Sequence, residues 1–294
     1  MRFDTYHPTI NLIYFVLVII CSLYFNHPVF IGISFLCAFI YSIKLGGFKA
    51  FVVDVVVIIG MMAYTVIYSY YEHFGITPLT QNIIGNSITL EAIVYGTVLS
   101  IQIGSLLIWF SCFLYVMSTD KLIYLLGRIL PKLSLFISIA LRCIPRIHQQ
   151  GNKIRLAQKS IGRGLGQGNI FRRIRNFFRI EHILITWSIE NFVQVSDSMK
   201  NRGYTLKKRT AFSIYRFDHR DRSFVITIFF CVTIILMAVL LDQTNIQYNP
   251  EIILNNITPI SYAFYIAYAF VCLLPMSLQI VGERKFNRLI EKKV

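Results

Sequence analysis

A chain of 294 residues that is 55% hydrophobic and carries a formal net charge of +15 is not built as a soluble domain, since soluble chains rarely join such apolarity to so one-sided a charge. It reads as an integral membrane protein. Six cysteines, Cys21, Cys37, Cys112, Cys143, Cys231 and Cys272, are scattered with no CxxC pair, which points to packing and away from a metal site or a disulfide framework.

Crossing a hydrocarbon core of about 30 Å takes about 20 apolar residues in a helix, because the backbone must satisfy its own polar groups there. The first apolar run, 10–25, has a barely basic start and no small-x-small pattern after it, so it reads as a retained span and not as a signal peptide. Asn26-His27-Pro28 makes a polar turn into the second span, 29–43. The third span is 50–70 and the fourth 91–117, joined by a segment with Glu72, Pro78, Asn82 and Asn86 but no Lys or Arg. The fifth and sixth, 223–241 and 260–281, are joined by 242–259, again without a basic residue.

With these spans all 29 Lys and Arg fall on one side: Arg2, Lys44, Lys49, 21 residues within 118–222, and the tail Arg284, Lys285, Arg288, Lys292 and Lys293. The positive-inside rule assigns that side, and both termini, to the cytoplasmic face of a cell membrane. The expected fold class is all-α integral membrane, with about six transmembrane helices and amphipathic cytoplasmic helices between spans four and five. The chain is then organised as 1–117, 118–222 and 223–294.

Within the basic block, Leu133, Phe136, Ile137, Ala140, Leu141 and Ile144 recur at helical spacing until Pro145, which removes an amide donor and kinks or ends the helix. A second helix is predicted over 146–161, with Ile147, Ile154, Ala157 and Ile161 on one side, stopped by Gly162. A third, over 181–202, carries Ile185, Ile189, Phe192, Ser196 and Met199 and ends at Gly203, a residue suited to the left-handed cap. Both helix ends show a small or polar residue, an arginine and a glycine: Gly162-Arg163-Gly164 and Asn201-Arg202-Gly203. A five-donor guanidinium at a helix tip can enter a partner's groove and bond carboxylates or carbonyls. The helix dipole alone also favours a cation there, by about 0.3 to 1 kcal/mol, so either triplet by itself is ordinary.

The run from Phe171 to Arg179 alternates basic and aromatic residues, which beside a membrane suits anionic lipid headgroups better than nucleic acid. Gly162, Gly164, Gly166 and Gly168 do not form a phosphate-binding glycine motif. Asp54 and Gln102 lie within spans, where polar groups are often functional. The six histidines show no ligand spacing and no catalytic constellation is evident, so neither a metal, a cofactor nor a catalytic residue is expected.

Leu156-Ala157-Gln158-Lys159 followed by Gly162-Arg163-Gly164, and Asp197-Ser198-Met199-Lys200-Asn201-Arg202-Gly203-Tyr204, resemble the paired arginine motifs of the transmembrane (T) component of energy-coupling-factor transporters, the family that includes cobalt-uptake T subunits. The stretch from Ser118 through Pro145 is similar to the family's lead into its coupling helices, and His7-Pro8-Thr9-Ile10-Asn11 to its N-terminal motif. In the first motif the arginine is displaced by two residues, and Ile161 stands at the family's arginine position.

The resemblance implies a non-catalytic subunit whose coupling helices sit on two ABC-type ATPase subunits and which holds a small membrane S subunit that binds a vitamin or a transition-metal ion. It implies ATPase contacts at Arg163, Gly164, Asn201, Arg202 and Gly203, supported by Ala157, Gln158, Asp197 and Met199. Two alternatives compete. A self-contained secondary carrier needs ionisable groups at mid-membrane, for which Asp54 is the candidate. A membrane-bound enzyme needs clustered acids or histidines, which the sequence disperses.

Overall fold

The computed structural model of the protein describes residues 3–72, 74–81, 87–204, 206, 215, 217–249, 252–253 and 258–291. Arg2, Asn82, Asn86, Lys292 and Lys293, which entered the charge and loop readings, lie outside them. Two compact units divide the chain: Met1–Leu122 with Tyr215–Val294, and Ile123–Ile214.

The first unit is a helical bundle. Two of its helices start with the same device. His7 accepts a hydrogen bond from the Thr9 amide at 3.3 Å and Pro8 opens α1, Pro8–Tyr24. His27 accepts from the Val29 amide at 3.2 Å and Pro28 opens α2, Pro28–Tyr71. Proline is preset for the first helical turn and its missing donor costs nothing there.

The expected separation of spans two and three around Lys44 and Lys49 narrows to one residue: α2 is two helical segments that meet at Gly47 (φ 60, ψ −140), a conformation that residues with a side chain avoid. Gly46 precedes it, so two adjacent glycines weaken the helix at the point where the second turns the chain. Lys44 Nζ ends 2.7 Å from Glu283 Oε2.

Between α2 and α3 (Leu90–Val116) the chain forms an element that the all-α expectation did not contain. This is a small antiparallel pair, β1 (Pro78–Gln81) with β2 (Ser87–Thr89). Thr89 then caps α3, accepting from the Ala92 amide at 3.4 Å. The bundle is completed by α7 (His219–Leu240) and α8 (Pro259–Glu291). α8 continues ten residues past the expected end of the sixth span at 281.

The core is aromatic. Tyr14, Tyr41, Trp109 and Tyr268 are fully buried, and Trp109 Nε1 donates to Ser34 Oγ at 3.0 Å. Tyr14 donates its hydroxyl proton to the Val271 carbonyl at 3.2 Å. α3 packs on α2 through two glycines: at Gly104 a β-carbon would collide with the Met61 side chain, and at Gly96 it would come to 3.1 Å from the Tyr68 ring. Such close packing through small residues is the usual means by which helices associate in lipid.

Among the described residues, four helices are long and apolar enough to cross a membrane: Pro28–Tyr71, Leu90–Val116, His219–Leu240 and Pro259–Lys285. α1 is apolar but, at 17 residues, shorter.

The second unit holds the end of α4 (Thr119–Ile129), then α5 (Pro131–Ser160) and α6 (Ile170–Asn201). Two helix expectations change here. The helix before Pro145 and the one predicted over 146–161 are a single helix, α5, because proline deletes only one bond of the ladder and the carbonyl it frees, on the exposed residue Leu141, needs no protein donor. The third helix starts at Ile170, 11 residues before the expected 181, and includes the basic-aromatic run.

Candidate functional site

α5 and α6 form an antiparallel hairpin. Arg146 Nη1 donates to Asn191 Oδ1 at 3.4 Å, and Gly151 faces Leu184. The connecting loop is pinned to the start of α6 by Asn176 Nδ2, which donates to the Gly164 carbonyl at 3.3 Å, and by Arg173 Nε to the Gly168 carbonyl at 3.2 Å. Arg163 therefore lies at one end of the hairpin and Arg202 at the other. With 30 residues in α5, the ends are about 45 Å apart at 1.5 Å per residue.

The two ends share one backbone design. At the end of α5, Gly162 takes φ 76, its amide donates to Lys159 O at 3.1 Å, and the Arg163 amide donates to Gln158 O at 2.9 Å. At the end of α6, Gly203 takes φ 77, its amide donates to Lys200 O at 3.0 Å, and the Tyr204 amide donates to Met199 O at 3.2 Å. Both are glycine-terminated caps in which the residue after the glycine bonds back five positions. In this register Ile161 corresponds to Arg202, Gly162 to Gly203, and Arg163 to Tyr204. Arg202 occupies the cap position itself, whereas Arg163 follows the glycine.

Both arginines are exposed, and among the described residues neither has an ion-pair partner. Asp197 and Lys200 pair with each other at 3.6 Å on the exposed surface of α6. Asn201 is exposed, and the Ala157 carbonyl accepts from Ser160 Oγ at 2.8 Å. Gly164 is buried, with its amide donating to Gln167 Oε1 at 2.9 Å. The Gln158 side-chain oxygen is buried without a hydrogen-bond partner among the described residues.

Met199 and Arg202 line a groove of about 420 Å³ between α5 and α6, together with Arg142 and Arg146. The sequence reading passed over these last two, although their spacing of four residues puts them on one face of α5. It also missed Lys121. This residue is 6% exposed, and its ammonium donates to the Val116 carbonyl at 2.9 Å, holding the start of α4 to the end of α3. Burial lowers its pKa from the ordinary value, partly offset by Asp4.

α6 presents three faces. Asn176 and Ile180 are buried within the unit. Phe171, Ile174, Phe178, Ile185 and Ile189 form an exposed apolar stripe, and Arg172, Arg175 and Arg179 form a third side. In the bundle, Asp54 is fully buried and accepts from Ser42 Oγ at 3.1 Å. Gln102 donates to the carbonyls of Ser22 and Leu23 at 3.0 and 2.8 Å, so it ties α3 to the end of α1.

Fold and site together define a class, a helical membrane protein with a basic hairpin whose charged tips are unpaired among the described residues. The cobalt transport protein (CbiQ) family matches residues 5–212, and the chain belongs to that family. It is similar, at 34% identity over 108 residues, to the energy-coupling factor transporter transmembrane protein EcfT of Staphylococcus aureus (strain 04-02981); the match covers 36% of this chain and 40% of that protein. Energy-coupling factor transporter transmembrane protein EcfT 1 of Listeria monocytogenes serotype 1/2a (strain 08-5578) is 34% identical over 107 residues, 36% of this chain and 38% of that protein. In both cases the chain spans well under half of the relative's length.

Proposed function

We propose that this protein is the T component of an energy-coupling-factor importer, a non-catalytic subunit that passes ATP-driven motion from two ABC-type ATPases to a small membrane S subunit. Its cargo is of the vitamin or transition-metal-ion class, selected by the S subunit. Six spans carry it in the cell membrane: α1, the two segments of α2 on either side of Gly47, α3, α7 and α8. Both termini and the hairpin are on the cytoplasmic side.

The observation that carries this reading is the hairpin with an exposed, unpaired arginine at each end, each beside the same glycine cap. Two well-separated tips suit two separate motor subunits, and the planar guanidinium gives bidentate contact with less ordering lost per hydrogen bond. Arg202, at the cap position with Asn201 and Gly203, is the principal contact. Arg163, with Gly164, reaches its ATPase from the loop. Ala157, Gln158, Asp197 and Met199 shape the two helix ends. Anionic lipid is held along Arg172, Arg175 and Arg179, each contributing about 1 kcal/mol. ATP closure in the partners supplies the differential binding energy that shifts the hairpin between two arrangements.

Reconstituted uptake tests this. Vesicles with the chain, its ATPases and an S subunit take up substrate with ATP, and Arg202→Ala abolishes uptake while the chain still inserts. Uptake by the chain alone, without ATPases, would refute the reading.

A further inference from the structure

At the end of the bundle where α1 turns into α2, a pocket of about 380 Å³ is lined by Tyr68, Phe74, Tyr95 and Tyr248, together with Glu72. Its volume falls in the range of small-ligand sites. Tyr95 stands at the centre. Its ring lies 5.8 Å from Tyr68, 5.6 Å from Phe74 and 5.3 Å from Tyr248, at interplanar angles of 59°, 77° and 48°. These are the spacings of rings packed edge-on or tilted against one another, so three neighbours hold the Tyr95 ring in a fixed orientation in the pocket wall. Tyr248 is 5% exposed and its hydroxyl donates to the Asn26 carbonyl at 2.9 Å, which fixes one wall.

Aromatic belts at membrane surfaces turn their rings outward to the headgroups. Here two of the four rings, Phe74 and Tyr248, come from connecting segments and pack against Tyr95.

The charge around the pocket is one-sided. Segments 3–43, 50–120 and 223–283, from which all the lining residues come, contain no Lys or Arg. Among the described residues no cation pairs with Glu72. His27 lies on the same turn, and burial lowers its pKa from 6.5, so it stays neutral at pH 7. The remaining polar lining comes from side-chain amides, Gln247 and Asn249 among them, whose oxygens can accept. Electron-rich rings beside an acidic side chain, with no Lys or Arg among the described lining residues, suit an ammonium group.

We propose that this pocket binds an ammonium-bearing ligand, with the charge against the Tyr95 ring and beside Glu72. The shared chemistry fits either a free organic cation or the ammonium head of a zwitterionic lipid. The proposal rests on the bundle alone and stands or falls apart from the transporter reading.

Calorimetry on the full chain in nanodiscs of phosphatidylglycerol tests it, with choline as the probe and 3,3-dimethylbutan-1-ol as its neutral isostere. Choline binds saturably, and the isostere binds at least about tenfold more weakly. Tyr95→Leu weakens choline by about tenfold, Tyr95→Phe restores it, and Glu72→Gln weakens it without changing thermal stability. Nanodiscs of phosphatidylcholine separate the two sources: loss of choline binding there identifies the lipid head as occupant, and unchanged binding identifies a free solute. Absence of choline binding, equal binding of the isostere, or unaltered binding by both Tyr95→Leu and Glu72→Gln would overturn the proposal.

Discussion

The bundle and the hairpin are built on opposite principles. The bundle buries a connected aromatic core that includes Tyr14, Phe15, Tyr41, Trp109 and Tyr268. In α5 and α6 the buried apolar side chains among the described residues are Cys143 and Ile180, while Phe171, Ile174, Phe178, Ile185, Ile189 and Phe192 are exposed. In lipid the helices gain nothing by leaving hydrocarbon, so close packing of these rings and hydrogen bonds such as Trp109 to Ser34 and Tyr14 to Val271 specify the bundle. The hairpin is held by local ladders, caps and a few polar bonds, and it leaves its apolar stripe for something else to cover. An element with little packing of its own is suited to adopt two arrangements under a partner's control.

The largest expected contrast is in stability. Trp109→Ala should cost about 3 to 5 kcal/mol through the cavity it leaves, whereas Phe192→Ala in the hairpin should stay within about 0.5 kcal/mol. Unfolding of the chain in micelles measures both. Equal losses would show that the hairpin has a core of its own.

The two caps offer a finer comparison. Gly162→Ala and Gly203→Ala should each cost about 1 to 2 kcal/mol, because both glycines are left-handed. An added methyl meets nothing within 4 Å at Gly162 but comes to 3.1 Å from Leu206 Cδ1 at Gly203. Helix content follows the backbone cost and should fall alike in the two variants. ATP-driven uptake should fall further for Gly203→Ala, because that cap aims Arg202 directly while Arg163 follows its glycine. Equal uptake by the two would remove the distinction drawn between the helix ends.

The smallest effect is confined to the bundle. Burial lowers the His27 pKa below 6.5, so the unfolded chain takes up a proton that the folded chain refuses as the pH drops through this range. Stability should be full above pH 6.5 and fall below it, and His27→Asn, which keeps a capping acceptor, should flatten that slope. Thermal midpoints between pH 5 and 8 read this out, and the hairpin variants should leave the slope unchanged.

Much of this was legible in the residues. Apolar runs located the helices of the bundle, and the glycines at 162 and 203 marked helix ends because a left-handed residue is needed there. What misled was local punctuation. Pro145 looked like a stop, yet a proline deletes only one bond of a long ladder, and the loop expected at Lys44 and Lys49 shrank to Gly47. The basic-aromatic run at 171–179 hid a helical turn because alternation by residue type says nothing of angle; at 100° per residue it resolves into distinct faces. Lys121 gave no signal, since a lysine that caps the end of another helix can be recognised only once both helices are in place.

The central claim is that the two hairpin ends are gripped by separate ATPase subunits, with Arg202 the stronger hold. Native mass spectrometry of the solubilised complex counts those subunits directly. The wild-type chain should carry two, and Arg202→Glu, which removes a contact of about 2 to 4 kcal/mol and adds repulsion, should carry one at most. An Arg202→Glu chain that still carries both would contradict the account.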